Sequence, residues 1–278
     1  MAEDIKILDC TLRDGGYING WNWGESKAKN IVKKLSDARI DIIEVGFLRD
    51  IDYFDPNKTV SNSISKLNEY IEGNCGTLYA AMAMISNYDI SQLENYSGSG
   101  IELIRVTAHD YDISKIYSYA SLIQKKGYKV SINPINIMGY TDSEILNIIE
   151  NVNKLHPYQF SIVDTFGSMN RERLSQLLSL VNNNLEDSIR LGLHLHENMA
   201  LSYCMAQDLL EMHIRRPITI DGSLMGMGRT PGNLPIELIC DYVNTYHEKS
   251  YDMDYILDAI YDYIYPYRGK IEWGYTPE

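Results

Sequence analysis

Two histidines that lie one residue apart give the strongest chemical signal in the chain. The segment His194-Leu195-His196 holds two of its six histidines. Side chains two positions apart on a β-strand point to the same side, so both imidazoles can share one cation. The pattern alone is weak, because two hydrogen-bonded core histidines would have the same spacing. The pair predicts a metal site if further ligands join it.

An acidic partner for these histidines occurs near the start of the chain, in Arg13-Asp14-Gly15. One carboxylate and two imidazoles leave coordination positions open for substrate and water. Such a ligand set suits Mn²⁺, Mg²⁺, Zn²⁺, Co²⁺ or Fe²⁺. The alternative roles are a helix cap or a tight turn for Asp14 and a structural salt bridge for Arg13.

A glycine-rich segment, residues 226–237, follows the last predicted strand. Loops of this kind often bind phosphate or cover an active site. The same segment also has the features of a helix entry, with Asn233 as the N-cap, Pro235 in the first turn and Glu237 near the positive helix end. Both interpretations are compatible with each other.

Short apolar runs alternate with amphipathic stretches along the chain, and the runs predict eight β-strands. The predicted strands are residues 5–10, 41–47, 77–84, 101–107, 128–133, 158–164, 189–196 and 217–221. Apolar stripes at helical spacing predict helices that pack on the sheet. The stripes are Ala28, Ile31, Val32 and Leu35; Ile145, Ile148, Ile149 and Val152; Leu174, Leu177, Leu178 and Val181; and Leu201, Met205, Leu209 and Met212.

Eight strands that alternate with helices predict an α/β fold, a closed (β/α)₈ TIM barrel. A doubly wound open sheet is the alternative. That fold usually has a GxGxxG turn after its first strand, and this chain has Thr11-Leu-Arg-Asp-Gly-Gly16 there. We therefore predict a single catalytic barrel over residues 1–248.

Residues 249–278 predict a C-terminal helical extension, whose apolar positions are Tyr255, Leu257, Ile260 and Ile264. The chain then reaches residues 273–278 without an obvious closing element. This ending indicates either a truncated chain or a protein that lacks a further C-terminal extension.

Active sites of such barrels lie at the carboxyl ends of the strands. Polar residues concentrate at these ends of the predicted strands. Charged residues within the apolar runs, such as Glu44 and Arg105, are harder to explain as ordinary loop polarity. The polar residues at the strand ends are Asp9, Glu44, Arg105, Thr107, His109, Asn133, Asp164, Thr165, His194, His196 and Asp221.

Composition excludes several classes of function. The 38 acidic and 25 basic residues give a net charge of −13, which disfavours binding to nucleic acid or to anionic membranes. No apolar run approaches the roughly 20 residues that span a bilayer, and the N-terminus does not resemble a signal peptide. The four widely spaced cysteines, Cys10, Cys75, Cys204 and Cys240, predict buried thiols in a cytoplasmic protein.

Together, these motifs resemble the divalent-metal lyases and aldolases known as DRE-TIM metallolyases. This superfamily includes 3-hydroxy-3-methylglutaryl-CoA (HMG-CoA) lyase, isopropylmalate and homocitrate synthases, and 4-hydroxy-2-oxovalerate aldolase. The matching stretches occur in order and on the predicted strands. They are residues 9–15, 43–46, 104–107, 164–167, 193–198 and 221–228, followed by Gly232-Asn233.

The resemblance implies a bound divalent cation, with Mn²⁺ or Mg²⁺ favoured and Zn²⁺ or Co²⁺ as alternatives. It makes Asp14, His194 and His196 the protein ligands. Asn233 is a candidate fourth ligand, since the lyase branch uses an asparagine after a matching glycine. The resemblance also implies that homo-oligomers are common, although no stripe in this sequence indicates an interface.

The branch of the superfamily is indicated by the first loop. The synthases have RDGEQ here, and the CoA lyase has RDGLQ together with a cysteine in the loop after the eighth strand. This chain has Arg13-Asp-Gly-Gly-Tyr17, and residues 222–233 contain no cysteine. The glycine-rich loop most resembles that of the hydroxy-oxovalerate aldolases. Those enzymes carry a histidine at the position of Tyr17, and a C-terminal domain for a dehydrogenase partner that this chain is too short to contain.

The resemblance therefore implies a class II aldolase that acts on pyruvate, or a related 2-oxo acid, and an aldehyde. The 2-oxo acid would chelate the metal through its carboxylate and ketone oxygens, and Arg13 would help to stabilise the enolate oxygen. Tyr17 occupies the position of the family's base. A free tyrosine has a pKa of about 10, so it suits proton donation better than abstraction.

Other groups could act as the base, namely a metal-bound water, His109 or Glu44. Glu44 has an alternative role in an ion pair with Arg13 or Arg105. The remaining candidates would hold the substrate or shape the aldehyde pocket. They are Arg105, Asn133, Thr165 and Arg229 for the substrate, and Trp21 and Trp23 for the pocket.

Two other functions remain open from the sequence. The first is an acyl-CoA lyase or Claisen-type synthase on the same scaffold. The second is a binding or regulatory barrel that kept the metal site without turnover, which the unusual Tyr17 leaves open. All these interpretations predict small-molecule ligands, and none involves nucleic acid or a membrane.

Overall fold

The computed structural model describes residues 4–72, 76–212, 214–229 and 231–275. Eight parallel strands form its centre, each hydrogen-bonded to the next along the chain. Strand β8 pairs with β1, and β1 pairs with β2, which closes the sheet into a barrel. The (β/α)₈ prediction is thus confirmed. The strands are β1 Ile5–Asp9, β2 Ile42–Leu48, β3 Leu78–Met84, β4 Ile101–Ala108, β5 Lys129–Pro134, β6 Gln159–Asp164, β7 Arg190–Leu195 and β8 Ile218–Gly222.

Nine α-helices surround or follow the strands in the described part of the chain. They are α1 Gly16–Asn19, α2 Glu25–Asp37, α3 Ile64–Asn68, α4 Ile116–Lys125, α5 Asp142–Leu155, α6 Arg171–Asn184, α7 Ser202–Glu211, α8 Ile236–Tyr246 and α9 Met253–Ala259. None of these described helices combines the length and the apolar character that crossing a membrane requires.

The predicted apolar stripes form the buried faces of α2, α5 and α6. The stripe on α7 differs at its last member. Met212 lies just beyond the helix end and is exposed, whereas Leu210 is buried in its place. The helices therefore seal the barrel with aliphatic faces, as their spacing predicts.

One connection lacks the expected helix. Between β3 and β4 the chain forms only the short 3₁₀ turn Ile90–Gln92. The residues that follow are polar or small, and Gly98 and Gly100 adopt φ values of 89° and 78°. Backbone in this left-handed region favours glycine and does not propagate a helix. An unpredicted two-residue strand, Val60–Ser61, also pairs with β2.

The C-terminal segment contains the expected helix, α9, which continues through a π-helical turn. Its buried positions are Ile256, Ala259, Ile260 and Ile264. Tyr255 and Leu257, the other two apolar positions named for this helix, are exposed. The boundary at residue 248 remains a prediction.

The cysteines agree in part with the prediction of buried thiols. Cys10 and Cys240 are buried and free, and Cys204 is free but half-buried. Cys75 lies outside the described residues. Burial raises the pKa of the Cys10 and Cys240 thiols well above the usual value, which keeps both protonated at neutral pH.

Candidate active site

A cavity opens at the carboxyl ends of the strands, and nine of the twelve residues predicted for the site line it. Three predicted residues do not line this cavity: Glu44, His109 and Asn233. Glu44 and Asn233 are buried beside it, whereas His109 lines an adjoining pocket. The nine residues are Arg13, Asp14, Tyr17, Arg105, Asn133, Thr165, His194, His196 and Arg229.

Asp14, His194 of β7 and His196, which directly follows that strand, meet at the floor of this cavity. His194 Nε2 lies 3.3 Å from Asp14 Oδ2, and His196 Nε2 lies 3.9 Å from the same oxygen. All three residues are at most 5% exposed. The sharp turn that brings Asp14 here depends on Gly15, because a Cβ there would lie 2.4 Å from the Thr11 carbonyl oxygen.

His194 is oriented by a second carboxylate. Strands β7 and β8 pair with His194 opposite Asp221, and His194 Nδ1 lies 3.1 Å from Asp221 Oδ2. This contact leaves Nε2 directed at Asp14. Burial alone would lower the pKa of His194, but the hydrogen bonds to Asp14 and Asp221 raise it above the usual value. A carboxylate behind a histidine is the arrangement that orients metal-binding imidazoles in proteins.

His196 has a different environment. Burial lowers its pKa to about 4, so the ring is neutral at pH 7, as a metal ligand must be. Its Nδ1 has no hydrogen-bond partner among the described residues, and neither has the buried Oδ1 of Asn233. The backbones of His196 and Asn233 pair through an antiparallel bridge. The buried Asn233 Oδ1 is an acceptor without a donor, and the Nε2 of neutral His196 faces Asp14, so the residues present fit a divalent metal.

Cys10 is an alternative third ligand, since its sulfur lies within 4.8 Å of ligand atoms of Asp14 and His194. Its thiol, however, donates to the Gly222 carbonyl oxygen at 3.2 Å, and burial raises its pKa. A protonated thiol is a poor ligand, because metals bind the thiolate. Neutral His196 fits the chemistry better.

Two arginines tie the carboxylates of the site into one network. Arg13 bonds Glu44 through Nε at 2.7 Å and Asp14 through Nη1 at 2.9 Å. Arg105 pairs with the same Glu44 oxygen at 3.1 Å and also with Asp221. The ion pair considered as the alternative role of Glu44 is therefore present.

This network sets the charges of the site. Burial alone would raise the pKa of Asp14, but Arg13 and His194 hold it well below its usual range. Burial acts on Asp221 in the same direction, and Arg105 outweighs it so that the pKa of Asp221 is lowered. Both carboxylates are therefore ionised at neutral pH.

The glycine-rich loop differs from the predicted helix entry. The N-cap of α8 is Pro235, and Asn233 is not the cap. Asn233 is extended because its backbone pairs with His196 and its N–H donates to the Gly226 carbonyl oxygen at 2.9 Å. Glu237 does lie in the first turn of α8, where it accepts from the Met225 N–H at 3.0 Å.

The same loop also contacts the metal-ligand candidates. The Arg229 N–H donates to Asp14 Oδ1 at 3.2 Å. Gly232 adopts a φ of +93°, which allows the chain to turn back towards the site. The loop therefore buttresses Asp14 and His196 from one side, with Asn233 between them and the barrel wall.

The remaining predicted residues lie around the cavity mouth. The ring of Tyr17 is half-exposed and lies 4.7 Å from that of Trp21. Trp23 is buried elsewhere, with its indole N–H donating to the Leu12 carbonyl oxygen, so it does not shape the pocket. His109 stacks on Tyr111, with 5.1 Å between the ring centroids.

Asn133 and Thr165 are both held by neighbouring groups. Asn133 Oδ1 lies 3.4 Å from Arg105 Nη2, and Thr165 Oγ1 accepts from the Asn136 N–H at 2.7 Å. Their side chains are thus fixed at the cavity wall before any ligand enters. This is the preorganisation that a binding surface requires.

Sequence reasoning missed two residues near the site. Asp221 was noted only as a polar strand end, although strand register places it behind His194. Arg49 follows the predicted second strand by two residues, and its guanidinium lies over Trp21 and Phe47. Its position just past a barrel strand is the signal that could have identified it.

Comparison with known proteins supports the fold and identifies the family. Over 248 residues, the chain is 21% identical to 4-hydroxy-2-oxovalerate aldolase 6 of Rhodococcus jostii, covering 86% of this chain and 67% of that protein. It is 24% identical to oxaloacetate decarboxylase of Mycobacterium tuberculosis, and the match covers 84% of this chain and 68% of that protein. Similar sequences also include 2-isopropylmalate synthases, and similar structures include HMG-CoA lyases.

Among solved structures, the N-terminal domain of a candidate aldolase from Bacteroides vulgatus superposes with a TM-score of 0.82 at 24% identity. The match covers 98% of this chain and 89% of the other. The HMGL-like family model matches residues 4–262. The chain therefore belongs to the HMGL-like family of (β/α)₈ barrels, the DRE-TIM metallolyases.

Proposed function

We propose that this protein is a divalent-metal-dependent aldolase that cleaves or forms 4-hydroxy-2-oxo acids from pyruvate, or a related 2-oxo acid, and an aldehyde. The observation that carries the proposal is the convergence of Asp14, His194 and His196 on one point at the carboxyl end of the barrel. Arg13 is held beside them by Glu44. Members of the family with aldolase names add support.

The metal would be held by Asp14, His194 and His196, with the free Oδ1 of Asn233 as a fourth donor. When bound, a divalent cation would polarise the 2-oxo group as a Lewis acid. Oxygen and nitrogen ligands of this kind favour Mn²⁺ or Mg²⁺, with Zn²⁺ and Co²⁺ also accommodated. Asp221 would maintain His194 in the tautomer that presents Nε2.

Arg13 would stabilise the negative charge that develops on the enolate oxygen. Its Nε is engaged by Glu44 and its Nη1 by Asp14, and it also lines the cavity. A guanidinium fixed by two carboxylates needs no rearrangement when charge develops, which is the property that makes electrostatic catalysis effective. Asn133 on β5 and Thr165, which directly follows the neighbouring strand β6, would contact the carboxylate of the 2-oxo acid.

Tyr17 would exchange the proton at the hydroxyl oxygen of the substrate. It lines the cavity mouth, where the aldehyde half must enter. His109 serves this role less well, because it lines a neighbouring pocket and stacks on Tyr111. Glu44 is occupied by two arginines and does not line the cavity.

The test is a coupled assay of pyruvate release from a panel of 4-hydroxy-2-oxo acids, run with Mn²⁺ and then with EDTA. We expect activity with Mn²⁺, and a loss of at least about 1,000-fold with the chelator, with Asp14→Ala or with His194→Ala. His156→Asn is the control, since His156 is exposed on the helical shell and asparagine tolerates its left-handed backbone.

The acyl-CoA alternative is tested in the same preparations by chromatography of HMG-CoA and acetyl-CoA mixtures. Cleavage or condensation of a thioester, with no pyruvate from any hydroxy-oxo acid, would replace the aldolase proposal by that alternative. Metal binding without either reaction would point to the non-catalytic barrel.

A further inference from the structure

Arg49 lies at the edge of the cavity and does not line it. It follows β2 at the carboxyl end of the barrel, and its guanidinium carbon is 4.4 Å from the ring centroid of Trp21 and 4.2 Å from that of Phe47. Phe47 lines the central cavity, whereas Arg49 and Trp21 line the pocket next to it. Arg49 therefore stands between the proposed metal site and an outer pocket.

The charge of Arg49 is not compensated by the fold. Within the described ranges, no carboxylate lies at ion-pair distance from it, and its Nε is buried without a hydrogen-bond partner. Burial lowers the pKa of Arg49, and the nearby Tyr17 offsets only part of this shift. By contrast, Arg13 and Arg105 each pair with two carboxylates. An unpaired, partly desolvated cation is costly unless a ligand anion pairs with it.

A second arginine approaches Tyr17, the neighbour of Arg49, from the glycine-rich loop. Arg229 is exposed, and its guanidinium carbon lies 6.0 Å from the ring centroid of Tyr17. It too has no ion-pair partner among the residues that the structure describes. Two unpaired cations thus border Tyr17 in a chain of net charge −13. Two cations without ion-pair partners beside one ring can together bind an anionic group.

The orientation of Arg49 is fixed by its aromatic neighbours. Trp21 has a φ of 59°, a backbone conformation that bulky residues rarely adopt. Its indole N–H donates to the Arg13 carbonyl oxygen at 2.8 Å, and it packs against Gly16, where a Cβ would lie 2.2 Å from the ring. Strain of this kind persists where surrounding structure enforces it, typically at functional sites.

We propose that Arg49, together with Arg229, binds an anionic group, a carboxylate or a phosphate, on the aldehyde half of the substrate. The inference rests on the proposed function and adds the chemical class of the aldehyde. The 2-oxo acid half is assigned to Asp14, the histidines and Arg13, so the cavity mouth beside Tyr17 and Arg229 remains for the other half. Asp50, Asp52 and Asp55 line the outer pocket beyond Arg49, so the anion would bind on the Tyr17 side of the guanidinium. A planar guanidinium can bind either anion through two parallel hydrogen bonds.

The test compares matched pairs of 4-hydroxy-2-oxo acids, one with a terminal carboxylate against its methyl ester and one with a terminal phosphate against its free alcohol. We expect kcat/KM of the native protein to favour one anionic member by at least about tenfold. Arg49→Gln should lower that kcat/KM by about 10- to 100-fold and change the neutral member by less than about threefold. The two pairs distinguish carboxylate from phosphate.

Two further variants make the test specific. Arg49→Lys keeps the charge and should retain part of the preference. Arg215→Gln removes the same charge from an exposed residue that precedes β8, at the amino end of the barrel, and should leave the preference unchanged. If Arg49→Gln lowers kcat/KM equally for the anionic and the neutral substrates, the inference is overturned. It is also overturned if the native protein has the same kcat/KM for both members of each pair.

A second readout separates failure of this inference from failure of the proposed function. Exchange of the pyruvate methyl protons with D₂O, measured by mass spectrometry in the presence of Mn²⁺, reports enolate formation without any aldehyde. If the pyruvate protons exchange but the cleavage reaction shows no preference for anionic substrates, only the role of Arg49 is overturned and enolate formation stands. If neither exchange nor cleavage occurs, titration calorimetry tests anion binding directly, with succinate and inorganic phosphate as ligands and neutral succinamide as the control. Binding of an anion that weakens at least about tenfold in Arg49→Gln supports the site, and unchanged binding overturns it.

Discussion

The two ends of the barrel hold their buried arginines in different ways. At the amino end, Arg216 donates to the backbone carbonyl oxygens of Asn182, Leu185, Glu186 and Ile189, at 2.8 to 3.3 Å. At the carboxyl end, Arg105 pairs with the carboxylates of Glu44 and Asp221, and Asp221 in turn contacts His194. The amino end directs its arginines mainly to backbone carbonyl oxygens, and the carboxylates that pair with them there, Asp187 with Arg216 and Asp4 with Arg190, are exposed. The carboxyl end joins its arginines to buried carboxylates that orient ligands.

This difference indicates that the amino end mainly contributes to stability and that the carboxyl end carries the chemistry. Carbonyl oxygens that accept from Arg216 fix the turn before β7 but cannot take part in proton or metal binding. The carboxylates around Arg105 determine the charge and the tautomer of a candidate metal ligand. Barrels commonly divide their two ends in this way. Substitutions at the two ends should therefore affect different measured quantities.

Arg216→Met should have the largest effect, and it should act on stability. The change leaves several buried carbonyl oxygens without a donor, so we expect a loss of about 3 kcal/mol in the free energy of unfolding. Urea denaturation measures this loss, with the exposed Arg215→Met as the matched control. The kcat of the folded variant should be unchanged, and a large fall in kcat at full folding would contradict the division between the two ends.

Asp221→Asn should weaken the candidate metal site at the carboxyl end of the barrel. The amide keeps the size of the side chain but weakens its hold on His194, so affinity for Mn²⁺ and kcat/KM should each fall about 10- to 100-fold. Calorimetric titration with Mn²⁺ measures the affinity directly. A variant that is destabilised yet binds Mn²⁺ as the native protein does would show that Asp221 is only a structural partner of Arg105.

Asp9 is a buried carboxylate that forms no ion pair with an arginine among the described residues. It accepts from the Thr11 N–H at 3.0 Å and from the Thr11 hydroxyl at 2.7 Å, and burial raises its pKa from 3.8 to about 7. The folded protein retains this proton after the unfolded chain has lost it. The stabilising contribution is therefore present below about pH 4 and is lost as the pH rises towards 7.

The measurement is the free energy of unfolding of the native protein and of Asp9→Asn at pH 5 and pH 8. We expect the difference between the two proteins to shift by roughly 2 kcal/mol in favour of the variant at the higher pH. No shift would mean that Asp9 titrates normally in the folded state.

His109→Ala should have the smallest effect. His109 lines the pocket beside the cavity and stacks on Tyr111, so its loss should change kcat by less than about fivefold. A pH profile of kcat that loses its acidic limb in this variant, together with a fall of about 100-fold or more, would instead make His109 the base, because a base is inactive once it is protonated.

Much of the fold could be predicted because it depends on local patterns. All eight strands were found within one or two residues, since parallel strands buried on both faces form continuous apolar runs. The third connection could not be assigned, because its residues have no helical periodicity. The sequence did not indicate which apolar residues of α9 are buried, since aromatic and aliphatic residues occur on both of its sides.

The candidate site was predicted where a motif lies directly at a strand end, as for Asp14 and the His194–His196 pair. Contacts that depend on register between strands, such as Asp221 behind His194, do not follow from the order of residues alone. Asn233 was identified as a ligand candidate by resemblance, but its bridge to His196 requires the folded loop. The uncompensated charge of Arg49 is a property of its surroundings and has no sequence pattern.

The indole of Trp273 donates to the Met225 carbonyl oxygen at 2.9 Å, on the loop that carries Asn233. Trp21 borders the cavity mouth, and Trp23 is buried away from it. The chain has only these three tryptophans. Two of its three tryptophans thus contact two different segments that border the site, the first loop and the glycine-rich loop. Emission recorded in Trp21→Phe and Trp273→Phe would let an observer follow the arrival of a ligand at each segment without any added label.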